Sequence, residues 1–442
     1  VSEKPSSEAS ARDGSPRSAA SALASQQLVR VSGRVRGARG LTVHAHVPGA
    51  RRGDWVRIER AESAPLDAEV IAFEDDLATL MPLGDVRGVG PDDRVLWMGS
   101  TFTVCASDAL LGRVLDGLGR PADGGPQLDG EPFAIARPAP SAHDRPRART
   151  ILTTGVHAID ALCTVAEGQR LGIFAAAGVG KSRLLARIAG HAQVDVIVVC
   201  LIGERGRELN EFLEDALSGQ ARARSVVVCA TSDAPALERM KSAHTATAIA
   251  EYFRAQGKRV LLLMDSLTRL TRAAREVGLA AGEPPTRRGF PPSAFAELGP
   301  LVERAGLTQR GSITAFYTVL VEGNDLDEPV ADEARGLLDG HLVLDRALAQ
   351  RGHFPPIDVP RSLSRLMESV VAPGHQDAAK RVRGLLAHYY AKRDLVELGA
   401  TSRGADPLLD LALDKLPAIE ALLRQEQTSL GFAELLQRLS AI

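Results

Sequence analysis

The chain has 442 residues, of which 45% are hydrophobic and 24% charged, and its formal net charge is -2. That balance describes a globular protein of two or three domains and excludes a chain whose net charge draws it to nucleic acid or to an anionic membrane. Aromatic residues reach only 4%, too few for a base-stacking platform, and the four cysteines (Cys105, Cys163, Cys200, Cys229) show no CxxC spacing, which argues against zinc sites and a disulfide frame. No run approaches the length of a transmembrane helix, no secretory apolar segment opens the chain, and reduced cysteines in a cytosolic protein are expected.

Residues 1–27 are rich in Ser, Ala and charged side chains with little to bury, so a disordered leader is expected. From residue 28 to 96 the character changes to short alternating segments, such as Leu41-Thr42-Val43-His44-Ala45 and Trp55-Val56-Arg57-Ile58, separated by Gly, Pro and Asp. This pattern predicts a small antiparallel β-barrel domain. Its arginines (Arg30, Arg34, Arg36, Arg39, Arg51, Arg52) lack interleaved aromatics and read as a solvated rim or subunit interface rather than an RNA site. A strand and glycine-rich turn follow at residues 111–121, and a Pro- and Arg-rich linker at 137–149 leads to a short helix starting near Thr154 to Asp160.

The most informative stretch comes next. An apolar run, Arg170-Leu171-Gly172-Ile173-Phe174, enters Ala175-Ala176-Ala177-Gly178-Val179-Gly180-Lys181-Ser182, and a segment of helical periodicity leaves it. Strand, glycine-containing loop, Lys-Ser and helix are the setting of a phosphate-binding P-loop. The backbone N–H groups of Ala177, Gly178, Val179 and Gly180 converge on phosphate oxygens, Lys181 reaches the β- and γ-phosphates, and the Ser182 hydroxyl is a candidate Mg²⁺ ligand. The first position is Ala175 instead of Gly, which makes the loop less permissive there.

Three β-branched apolar runs, at 194–202, 225–231 and 259–265, alternate with helical patterns, including one at 236–256. Runs of this kind are strands buried on both faces, so residues 97–368 are expected to form an α/β RecA-like domain with a largely parallel sheet. Asp265 ends one strand and is placed to organise the Mg²⁺ hydration shell. Glu204 lies just past another, where a carboxylate can orient and polarise the attacking water. Arg205 and Arg269 are candidates to brace these acids, to contact phosphate or to form a structural salt bridge, with Glu208 behind them. A Pro/Gly-rich loop at 280–293 is expected at an interface or channel, and Phe354 either packs on an adenine ring or joins the core. Residues 369–442 read as a helical domain, with helices expected at 378–396, 407–427 and 432–439.

From about residue 28 to 440 the chain resembles the ATPases of bacterial type III protein secretion systems, which are similar to the flagellar export ATPase and to the catalytic subunits of rotary ATP synthases. The strings that carry the resemblance include LLGRVLDGLGRP, TGVHAID, AAAGVGKS, LIGERGRE, VLLLMDSLTR, GLAAGEPPTRRGFPPS, ADEARGLLDGHLVLDR and GHFPPIDVPRSLSR. The resemblance implies an ATP- and Mg²⁺-using homohexameric ring. Lys181 and Ser182 match its phosphate and Mg²⁺ residues, Glu204 its water-activating glutamate, Asp265 its Walker B aspartate, and Arg205 and Arg269 its site arginines. It further implies that Phe354 stacks on adenine and that Arg365, otherwise a surface charge, completes the neighbouring subunit's nucleotide site. Implied partners are a central coiled-coil stalk protein, a peripheral stator or regulator at the N-terminal domain, chaperone–substrate complexes at the C-terminal domain and the export gate, with no nucleic acid. The implied location is cytoplasmic and peripheral to the inner-membrane export apparatus, and the implied work is release of chaperones from, and unfolding of, exported proteins. A flagellar export ATPase, a nucleic-acid-translocating hexamer and a non-catalytic nucleotide-binding scaffold are the competing readings. Departures from the family pattern fall at 176–177, 270–274, 298–301 and 401.

Overall fold

A computed structural model of the chain describes residues 31–442 apart from 216, 218, 322–324, 427 and 428, so the expected leader at 1–27 lies outside the described residues. The chain divides into two compact units, the first ending at Ser100 and the second starting at Thr101.

The first unit is a closed antiparallel barrel. Strands β1 (Ser32–Arg39), β2 (Thr42–His46), β3 (Trp55–Glu59), β4 (Leu66–Glu74), β5 (Leu77–Pro82) and β6 (Arg94–Trp97) run in the order β1-β2-β5-β4-β3-β6. The alternation seen in the sequence sorts side chains between the two faces. In β1, Val35 is buried while Arg34 and Arg36 face solvent and reach Asp92, and Val43, Ala45, Val56, Ile58, Leu80 and Val95 fill the interior.

The second unit is built on a mainly parallel sheet. Its strands are β7 (Val114–Asp116), β8 (Arg170–Ala175), β9 (Val196–Glu204), β10 (Ser225–Thr231), β11 (Arg259–Asp265), β12 (Ser312–Leu320), β13 (Gly340–Leu344) and β14 (Leu363–Ser364), besides a two-residue antiparallel strand, Gly306–Leu307, paired on β12. They lie in the order β14-β13-β8-β12-β11-β9-β10-β7, with β14 the antiparallel edge. Every position of β9 is buried, as expected of a strand covered on both faces. The helices that matter for the site are α1 (His157–Leu162), α2 (Lys181–His191), α3 (Gly206–Asp215), α4 (Ala236–Ala255), α5 (Leu267–Ala280), α6 (Pro329–Leu337) and α7 (Arg346–Gln350).

The C-terminal helices α8 (Pro373–Glu397), α9 (Pro407–Leu423) and α10 (Phe432–Ala441) contribute Val382, Leu385, Leu386, Ile419, Leu422 and Leu439 to the same apolar core as Ile173, Leu185 and Ile188. Two of their limits differ from the sequence expectation by more than two residues. Helix α8 starts earlier because Pro373 occupies its first turn, where a missing N–H costs nothing. Helix α9 stops at Leu423, because Arg424 turns extended and the next backbone N–H, that of Gln425, donates to the Phe354 carbonyl at 2.7 Å instead of continuing the helix.

Candidate functional site

Parallel pairing puts the C-terminal ends of β8, β12, β11 and β9 along one edge of the sheet, where ligand sites form in open α/β folds. The P-loop joins β8 to α2. Gly178 and Gly180 take φ values of +78° and +101°, left-handed conformations open to glycine without strain. No side chain caps α2, so its first-turn N–H groups stay available to phosphate oxygens. Ser182 is exposed in that first turn. Ala175 stays within β8, paired with Leu320 and Leu344, so the loop's turning is done by the later glycines.

Beside the loop stand the two acids. Leu201 of β9 pairs with Asp265 of β11, so Glu204 and Asp265 emerge from neighbouring strands. Lys181 Nζ lies 2.5 Å from Asp265 Oδ1 and 3.7 Å from Glu204 Oε1. Strand β12 lies between the P-loop strand and β11, and its Thr318, fully buried, donates its hydroxyl proton to Asp265 Oδ1 at 2.7 Å. Sequence reasoning passed over Thr318; its only signal was a polar residue inside an apolar strand.

Glu204 is braced by Arg269, whose Nη2 donates to Oε2 at 3.2 Å and whose Nε lies 3.1 Å from Oε1, while Nη1 donates to the Gly203 carbonyl. Arg205, by contrast, is exposed at the start of α3 and pairs with neither acid. Burial pushes the Glu204 carboxyl up to about 7, helped by its hydrogen bond with Glu208 and by the Asp265 charge, and opposed by Lys181 and Arg269. Its Oε1 is buried and accepts no hydrogen bond among the described residues.

Phe354 is half-buried in the loop after α7, and its ring approaches Gly180 so closely that a Cβ there would lie 3.9 Å from Cε1. On the same flank Arg346 Nη2 donates to the Ala177 carbonyl at 3.4 Å, a P-loop neighbour that the sequence did not single out. Arg365 is elsewhere. Strand β13 pairs with β8 and reaches the P-loop end at Leu344, whereas β14 joins β13 at Gly340, with the Arg365 N–H donating to Asp339 O at 3.0 Å. Asp339 sits level with Arg170, at the foot of the P-loop strand. The length of β8 therefore separates Arg365 from its own P-loop, about 17 Å at roughly 3.3 Å per residue.

A glycine-bearing loop with an uncapped helix start, a lysine, a first-turn hydroxyl and two acids can hold a nucleoside triphosphate and act on the water beside it. The donor set fits Mg²⁺. Ser182, next to Lys181 in the chain, and the Asp265 carboxylate, bonded to Lys181, are hard oxygen donors of the kind Mg²⁺ takes alongside phosphate and water.

Comparison with known proteins gives the family. Residues 155–364 match the nucleotide-binding domain of the ATP synthase alpha/beta family, and residues 371–441 match the C-terminal domain of the EscN ATPase of type III secretion. The chain is 52% identical over 368 residues to a type 3 secretion system ATPase of Xanthomonas euvesicatoria, covering 83% of each protein. It is 47% identical over 410 residues to the flagellum-specific ATP synthase of Salmonella typhimurium, covering 90% of each. Its structure matches the assembled EscN of enteropathogenic E. coli, solved in complex with its central stalk EscO, with a TM-score of 0.85, 44% identity and coverage of 92% of this chain and 98% of that one. With the P-loop domain, the C-terminal domain and nearly the whole chain length matched, the chain belongs to the type III secretion system ATPase family, related to the flagellar export ATPases.

Proposed function

We propose that this ATPase works as a homohexameric ring that hydrolyses Mg-ATP to energise type III protein export. Lys181 and the backbone N–H groups of residues 177–180 hold the phosphates, Ser182 and Asp265 organise the metal, and Phe354 covers the adenine. Bound Mg²⁺ supplies charge neutralisation on the transferring phosphoryl group. Glu204 orients the attacking water and takes its proton, and a carboxyl raised to about 7 is matched to that exchange near neutral pH. Arg269 holds Glu204 in place, and the exposed Arg205 is left to contact phosphate or a neighbour.

The observation that carries the ring is the position of Arg365. It is exposed and separated from its own P-loop by the length of β8, yet it stands on the sheet edge, free to reach a neighbouring subunit's phosphates. An arginine acting in trans stabilises transition-state charge by about 10³–10⁵ in rate. In mixed rings, Arg365→Ala subunits should retain their own nucleotide binding while hydrolysis is lost at the site they complete. A defect confined to the Arg365→Ala subunit's own site refutes the shared site.

EscN was solved with its central stalk, and by that likeness a central coiled-coil stalk is proposed here. The hairpin of α8 and α9 supports contacts with partners, since Leu395, Leu398, Leu408 and Leu411 are exposed on it, Leu398 to 79%. Chaperone–substrate complexes at these helices, a peripheral regulator at the barrel and the export gate complete the proposed set, at the cytoplasmic face of the inner membrane. The 47% identity to a flagellar enzyme favours one second reading, use in flagellar export. Restoration of motility, rather than of effector secretion, in strains lacking the respective ATPase would select it.

A further inference from the structure

We infer that Asp339 is a positioning residue for Arg365, an inference that rests on the reading of Arg365 as the residue completing a neighbour's site. Asp339 follows α6 and begins the turn into β13. Its carboxylate accepts from Arg170 Nε at 3.0 Å, Arg170 Nη2 at 3.1 Å and the Arg170 backbone N–H at 3.0 Å, and its own N–H donates to the Arg170 carbonyl at 2.9 Å. Asp339 is thereby clamped to the foot of the strand that carries the P-loop. On its other side its carbonyl accepts the Arg365 N–H at 3.0 Å and Gln169 Nε2 at 3.1 Å, and the same Nε2 donates to Ser364 Oγ at 3.0 Å.

The next residue tightens this corner. A Cβ on Gly340 would lie 2.3 Å from the Leu363 carbonyl oxygen and 3.0 Å from Ser364 Cα, so only glycine lets the backbone leading to Arg365 come this close. The Arg365 side chain itself is exposed, with Nη2 donating to the Arg335 carbonyl at 3.5 Å. Its point of departure is therefore set by the backbone, and the backbone is set by Asp339 and Gly340. A bidentate guanidinium–carboxylate pair fixes direction as well as distance. Displacement of a positioned group by about 1 Å costs on the order of 100-fold in rate. The clamp links the foot of one subunit's P-loop strand to the arginine it offers the next.

Asp339→Asn in the full chain removes the charge while leaving Arg170 its second partner, Glu303 Oε1 at 2.5 Å. The expected result is a kcat lower by about 10-fold or more, with KM for ATP and the affinity for a fluorescent ATP analogue within about twofold and ring assembly unchanged. Gly340→Ala should behave alike and serves if Asp339→Asn fails to fold. The decisive comparison is with Arg365→Ala: the Asp339→Asn/Arg365→Ala double variant should be no slower than Arg365→Ala alone. Losses that multiply, or a nucleotide affinity that falls with kcat, overturn the inference and assign Asp339 to its own P-loop strand. Wild-type turnover by Asp339→Asn alongside a slow Arg365→Ala overturns only the positioning role, whereas wild-type turnover by Arg365→Ala overturns the reading beneath it.

Discussion

Replacing Glu204 by Gln separates the chemistry of the site from its cost to the fold. The carboxyl is buried beside Asp265 and Glu208, and burial raises its pKa from an ordinary 4.5 to about 7. Between those values the unfolded chain has lost the proton while the folded chain keeps it, so stability falls as pH rises through this window. The contribution is intact below pH 4.5 and lost above about pH 7. At roughly 1.4 kcal/mol per pH unit, the ionised group costs the fold up to about 3 kcal/mol at pH 8. The side chain is only 7% exposed, so solvent relieves little of that cost. Gln does not ionise, and Glu204→Gln should become progressively more stable than the parent between pH 5 and pH 8. Thermal unfolding in EDTA at four pH values reads this as a midpoint difference that widens by a few degrees. At the same time the variant should bind ATP and show no steady-state hydrolysis. A midpoint difference that stays flat across the range refutes the electrostatic argument, and surviving turnover refutes the role of Glu204 in activating water.

Two further outcomes test the surroundings of the site. Thr318→Val removes the hydroxyl that bonds Asp265 at 2.7 Å and should slow hydrolysis about 10-fold, the kinetic equivalent of one charge-assisted hydrogen bond, with Thr318→Ser restoring most of it. Equal rates for the Val and Ser variants would show the hydroxyl to be idle. Away from the site, Arg304 is 2% exposed, donates to both Glu251 oxygens at 3.1 and 2.7 Å and caps the Ile135 carbonyl at 2.9 Å. Arg304→Met should destabilise by about 3–5 kcal/mol in urea unfolding, because Glu251 stays buried with weaker partners, while turnover per folded ring is unchanged.

The residues at one site were legible to unequal degrees, for physical reasons. Lys181, Ser182, Asp265 and Glu204 announce themselves because local context decides their position: Asp265 and Glu204 end apolar strands, Lys181 and Ser182 follow one after a short loop, and parallel strands end on the same side of a sheet. The barrel was equally readable, since a period of two assigns each side chain to the interior or to solvent. Strand order, however, comes from long-range pairing. Only the insertion of β12 between β8 and β11 brings Thr318 onto Asp265, and no local pattern encodes that neighbour. Arg205 and Arg269 look alike as flanking arginines, but α5 aims Arg269 at Glu204 while α3 starts with Arg205 facing solvent.

The sequence by itself therefore determined the strand–loop–helix that carries Lys181 and Ser182, the placing of Glu204 and Asp265 at strand ends, and the domain types, because these follow from short-range periodicity. Which arginine braces Glu204, which hydroxyl fixes Asp265, where α9 ends, and that Arg365 stands at the opposite end of the P-loop strand were decided only by tertiary structure. Each depends on groups brought together across long stretches of chain: 318 onto 265, 425 onto 354, and 365 onto 339.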